Sequence, residues 1–146
     1  MASGKGNTNA AGILQAIYQA VFTDLSTLLA NAGSPLTTLY VSLHTANPGA
    51  TGNQSTSEAA YTSYARQAVA RTTGGWTLTS ETITNAAAIN FPAATGGSET
   101  ETYVGIGTAS SGSGILLWFG ALTSPLAVSS GITPVIAIGQ LSITEA

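Results

Sequence analysis

Acid–base and nucleophilic chemistry needs an imidazole, a thiol or paired carboxylates, and this chain holds few of them. His44 is the only histidine and Asp24 the only aspartate, and there is no cysteine. A nucleophilic triad needs a nucleophile, a base and an orienting acid. Asp24 falls on a helical stretch, while His44 ends a strand beside the turn Asn47-Pro48-Gly49. No spacing brings the two together, and no Gly-x-Ser-x-Gly elbow occurs. His44 is therefore expected to hydrogen-bond within its neighbouring turn.

Metal and phosphate chemistry are no better supplied. Without cysteine, zinc clusters and disulfides are excluded. Glu99 and Glu101 alternate onto one strand face, where two carboxylates can share a divalent cation. Two like charges in a polar stretch are expected to be solvated instead, and the regular acids of a calcium loop are missing. Gly105-Ile106-Gly107-Thr108 and the Ser/Gly run behind it look like a phosphate loop. They lack the Gly-Lys-Ser/Thr ending and the following helix, so a hairpin loop is expected. Arg66 and Arg71 stand five apart on a strand and point to opposite faces, which makes no anion clamp. The exposed one is expected to pair with Glu81. Asn53-Gln54-Ser55 fits a glycosylation pattern, which carries no weight without a secretory leader. No catalytic, cofactor-binding or metal-binding residue is expected.

Composition points the same way. Of 146 residues, 6% are charged and 44% are apolar, where an ordinary domain carries about 25% charge. Three basic residues cannot neutralise a run of phosphates, which excludes a nucleic-acid groove. The longest apolar run, Ile115 to Phe119 and on to Leu122, falls short of the ~20 residues of a spanning helix, so no membrane is expected. A secretory leader is not expected either, because Gln15, Gln19, Thr23 and Asp24 interrupt the first apolar stretch. A surface so poor in charge favours contact with other protein, since buried charges must be desolvated.

The elements that would position these residues follow from periodicity. Residues 1–8 form a polar arm, and residues 9–146 are expected to form a single domain. Leu14, Tyr18, Val21, Leu25 and Leu28 recur in steps of three and four, which predicts a helix over about 10–30 with Asn9 as its N-cap. Ile13, Ile17 and Phe22 lie off that stripe. From Leu39 onward the pattern alternates with period two, broken by Gly, Pro, Ser and Asn every 8–12 residues. That predicts eight or nine short strands over about 36–146: mainly β, an antiparallel β-sandwich of jelly-roll or immunoglobulin-like kind with one N-terminal α-helix. Trp76 to Ile83 reads as one strand. Ile115 to Leu122 and Leu126 to Val128 read as two. Within the first of these, Ile115, Leu117 and Phe119 should share one face and Leu116 and Trp118 the other, with both faces covered, by sheet and by helix or another subunit.

Particular stretches carry a family likeness. Leu39-Tyr40-Val41-Ser42-Leu43-His44-Thr45-Ala46-Asn47-Pro48-Gly49 resembles a segment of small tailed-bacteriophage virion structural proteins. The likeness continues through Tyr64 to Arg71, Trp76, Asn85 to Pro92, Ile106 to Gly114 and Gly120 to Pro134, all in one order. Such chains are often labelled phage tail-fibre proteins. The resemblance implies no catalytic residues. Together with the small size and sparse charge, it implies a capsid decoration or cement protein on the virion surface, made in the host cytoplasm. Its expected partners are the major capsid protein and copies of itself in a homo-oligomer. A tail or tail-fibre component is the alternative. A glycan-binding sandwich, using Trp76, Tyr61, Tyr64 and Tyr103 as an exposed platform, is a more distant one, because Trp76 is expected to fill the core. The candidate interface residues are Lys5 on the arm, Ile13, Ile17 and Phe22 on the helix, and Trp118 on the most apolar strand.

Overall fold

Apolar residues at every second position from Leu39 to Leu43 build the strand on which the larger sheet is assembled. In the computed structural model, which describes residues 14–19 and 36–144, this strand is β1 (Thr38–His44). After it come β2 (Gln67–Ala70), β3 (Trp76–Thr79), β4 (Thr82–Asn85), β5 (Ile89–Asn90), β6 (Ser98–Gly107), β7 (Leu116–Ser129), β8 (Val135–Ile136) and β9 (Ser142–Thr144). A helical turn at Gln15–Gln19 precedes them. The described residues divide into two compact units. One comprises residues 38–69 and 90–135; the other comprises residues 14–19, 36–37, 70–89 and 136–144.

The first unit holds a sheet in the order β2-β1-β6-β7. β6 pairs antiparallel with both β1 and β7. The registers place Val41, Ile106 and Trp118 in one row, and Leu43, Val104 and Gly120 in another. Rows two residues apart on a strand share a face. Leu39, Val41, Leu43, Val104 and Ile106 are all buried, and each such side chain contributes about 1.5–3 kcal/mol by leaving water. Ser42, Gly105 and Phe119 lie on the opposite face, as do Tyr40, Gly107 and Leu116.

The second unit holds the antiparallel sheet β3-β4-β9. Trp76 is fully buried there with Ile83, Leu141 and Ile143. Tyr18 meets the indole edge-on, with centroids 4.8 Å apart, and Gln19 Nε2 donates to the Trp76 carbonyl at 2.7 Å. Asn85 ties β4 to the approach of β9: its Nδ2 donates to Ala87 O and Ala137 O, and its Oδ1 accepts from Leu141 N. β5 and β8 form a two-residue ladder of their own.

The class is the mainly β, antiparallel one expected from the alternation, with three departures in detail. The described turn at Gln15–Gln19 is π-helical rather than α-helical. Leu14 and Tyr18 are buried, as the apolar stripe requires; the remainder of the predicted helix and the arm lie outside the described residues. Trp76 to Ile83 is a hairpin, not one strand. β3 and β4 pair from Trp76↔Asn85 to Thr79↔Thr82, and Ser80 takes a left-handed φ of 55° at the turn. The two predicted strands on either side of Pro125 are one, β7. Proline lacks the N–H for a ladder, but β7 is an outer strand, where that loss is tolerated.

Candidate interaction surface

Gly105 and Gly107 leave room beside β6 for polar side chains. A Cβ at Gly105 would stand 2.6 Å from His44 Nε2 and 2.9 Å from Ser42 Oγ. A Cβ at Gly107 would overlap the side chain of Gln54. These glycines therefore serve packing. His44 is fully buried, with its Nε2 2.9 Å from Ser42 Oγ and its Nδ1 2.9 Å from Thr56 O. A carbonyl only accepts, so Nδ1 carries the proton and Nε2 accepts from the Ser42 hydroxyl. Burial pushes the imidazole below its usual 6.5 and keeps it neutral. Ser42 and His44 have the separation of a nucleophile and its base, yet both are 0% exposed. The expected partnership of His44 with the Asn47-Pro48-Gly49 turn is not formed. That turn closes on itself through Asn47 Oδ1, which accepts from Gly49 N.

Next to this pair lies an ion pair that holds a loop. Arg66 grips Glu58 with two parallel bonds, Nε to Oε1 at 2.6 Å and Nη2 to Oε2 at 2.7 Å. Such a fork is stronger and more directional than a single contact. The remaining guanidinium donors reach Ala109 O and Gly112 O at 2.9 and 2.6 Å. Tyr64 donates its hydroxyl proton to Glu58 Oε1 and accepts from Leu43 N. Gln54 completes the clasp: its Oε1 accepts from Ala109 N, and its own N–H donates to Ser113 O. The exposed Ser110-Ser111-Gly112-Ser113 segment is thus fastened from beneath. Arg66 is the buried arginine and pairs with Glu58, so the Glu81 expectation concerns Arg71, the more exposed of the two. Arg71, at the other end of β2, donates to Leu36 O at 2.7 Å.

The fastened loop delivers the chain into β7. Ile115 is 66% exposed and Leu117 42%. A register irregularity lies here, with Ile106 opposite Trp118 but Gly107 opposite Leu116. The resulting bulge puts Leu116 on the face of Phe119, opposite Trp118, so the simple alternation expected for this strand is not kept. In the single chain Leu116, Trp118 and Phe119 are half-buried and Leu117 is open, so a second cover for this strand must come from another subunit. The Trp118 indole lies against Gly120, where a Cβ would overlap the ring. None of the 14 residues of β7 is charged.

At the other end of β6, Glu99 Oε1 accepts from Ala60 N and Tyr61 N at 2.8 and 2.7 Å. Glu101 is not solvated as expected. It is fully buried, no donor reaches either carboxylate oxygen, and a hydrogen bond to Glu99 requires it to keep its own proton. Burial first, and then the neighbouring Glu99, push its carboxyl up to about 8. Among the described residues no group of three or more His, Cys, Asp or Glu gathers to hold a metal. No described helix is long and apolar enough to cross a membrane.

Of the sequence-chosen interface residues, Ile17 and Trp118 are half-buried and belong to different units; Lys5, Ile13 and Phe22 lie outside the described residues. Trp76 and Tyr61 are buried, and Tyr64 stacks on Phe91 with centroids 6.3 Å apart, so they do not form an exposed aromatic platform. Ile115 and Leu117 were missed as surface residues. The signal was present in the sequence as a strand-length run without a single charge. The protein-family model described as podophage GP4 fiber I protein gp80 matches residues 16–144. No curated protein sequence matches the chain.

Proposed function

The chain belongs to the family of the podophage GP4 fiber I protein gp80, phage virion structural proteins related to tail fibres, and on that premise we propose that it is a non-enzymatic subunit of a phage fibre. The observation that carries this reading is the match over residues 16–144. The side chains agree with it. The one histidine is neutral and sealed from solvent, which suits a structural role rather than catalysis. The conspicuous surface is a charge-free outer strand behind a rigidly held loop, which suits packing against other protein. Such a subunit works by mass action: it binds the assembled particle and stabilises that state. With so few charges in play, its attachment should change little between low and high salt.

Capsid decoration is the second reading, favoured by the charge content of 6% and the small size; its partner would be the major capsid protein. Immunogold labelling of purified particles tests the two. Label on appendages at the tail, with few copies per particle by gel densitometry, is the expected result. Label spread over the shell, with hundreds of copies, would replace the fibre reading with decoration.

A further inference from the structure

The sheet of the first unit ends in a strand that pairs on one side only. Among the described residues, β7 has β6 on one side and no strand on the other. A free edge offers a row of unpaired N–H and C=O groups, and natural proteins usually guard such edges with charge. β7 has no charge along its 14 residues. The opposite edge differs: β2 is only four residues long and is bracketed by Arg66 and Arg71.

We propose that β7 pairs edge to edge with β7 of a second copy of this chain, antiparallel about a two-fold axis. The two four-stranded sheets then join into one of eight strands. The inference rests on the reading of the chain as an assembly subunit and adds the surface and the partner. An open edge accepts an extended strand, because only a strand matches its donor and acceptor spacing. An uncharged edge favours a strand that brings no ion to desolvate. Among the described strands, β7 matches β7 in length, whereas the uncharged β2 is only four residues long and is closed off at each end by an arginine. Two-fold pairing of one strand with itself also closes, so it makes a dimer and not an open filament. The pairing is confined to Leu116–Leu122. Pro125 has no N–H to donate, and residues 122–125 stand opposite the single residue Thr102, between Glu101↔Leu126 and Tyr103↔Ala121. Ile115 and Leu117, exposed at the start of this segment, lose water on pairing.

The chain has no cysteine, so a single introduced thiol reports only contacts between copies. Leu117→Cys and Ala121→Cys sample the pairing segment and Thr123→Cys its end, all at exposed positions. Ala127→Cys beyond the proline and Ala68→Cys on β2 are the controls. The intact protein should have the mass of a dimer by light scattering. On mild oxidation, one of the three β7 variants, the one nearest the two-fold, should cross-link in most molecules and the two controls in few. Ala121→Lys should keep the same circular dichroism and weaken the dimer by at least roughly tenfold, since each copy then brings a charge to be desolvated at the seam. A monomer or trimer from the intact protein, equal cross-linking of Ala68→Cys, or an undiminished dimer in Ala121→Lys would overturn the proposal. A monomer that nonetheless labels phage fibres would sink this inference and leave the fibre reading standing. A dimer absent from fibres would do the reverse.

Discussion

The two ends of β6 bury polar groups differently: one is satisfied except for Gln54 Nε2, and the other holds a carboxyl that no donor reaches. At the Gly105–Gly107 end, His44, Ser42, Glu58 and Arg66 satisfy one another or nearby carbonyls. At the Glu99–Glu101 end, no donor reaches either oxygen of a fully buried carboxyl, and only its own proton can bridge it to Glu99. A satisfied buried network fixes geometry, because each member would leave an orphan if it moved. An unsatisfied buried acid escapes its desolvation by keeping its proton. The first end is therefore built to hold a loop still, and the second makes stability depend on pH.

The largest test of that contrast breaks the satisfied end. Arg66→Ala leaves Glu58 largely buried without its partner, and Glu58→Ala strands a guanidinium whose side chain is 2% exposed. Each should cost about 3–5 kcal/mol in urea unfolding. A loss below ~1 kcal/mol would mean that the pair behaves like an ordinary surface salt bridge.

A smaller effect is expected from Gly107→Ala, whose new Cβ overlaps Gln54. Overpacking of this kind costs about 1–3 kcal/mol. Adding Gln54→Ala should recover part of that loss, because it removes the group that is struck. Additive losses in the double-mutant cycle would show that the glycine is there for another reason.

The smallest and most gradual effect is the pH dependence, in which the two ends oppose each other. Glu101 has its pKa raised by folding from 4.5 to about 8. Over that interval the native state holds the extra proton, so stability should fall as pH rises, by about 1.4 kcal/mol per unit at most. His44 has its pKa lowered from 6.5. There the unfolded chain binds the proton more readily, so stability should fall as pH drops below 6.5. Above pH 6.5 only the Glu101 effect acts, and Glu101→Gln should flatten the melting temperature between there and pH 8. His44→Gln should flatten the acid side. An unchanged alkaline slope in Glu101→Gln would show that this carboxyl is already ionised in the fold.

Much of this protein was legible from local pattern. Period-two alternation gave the strands and their class, because a strand's two faces are fixed by neighbouring residues alone. Leu14 and Tyr18 lie buried as their helical spacing requires, even though the turn that follows Leu14 and contains Tyr18 is π-helical. The poverty of chemical groups could be counted directly, and it agrees with a family of structural proteins.

What the tertiary structure decided were the partnerships, since these depend on register between distant segments. Arg66 reaches carbonyls 43 and 46 residues away, and no local rule names them. Gly105 and Gly107 read as a loop signal until pairing with β1 placed them against His44 and Gln54. Pro125 read as a strand end until β7 took the outer place, where a missing N–H breaks no ladder. Glu101 read as a solvated acid, because its spacing from Glu99 says which face it shares but not what covers that face. Side-chain alternation is a property of the chain, whereas burial is a property of what the rest of the fold lays on top.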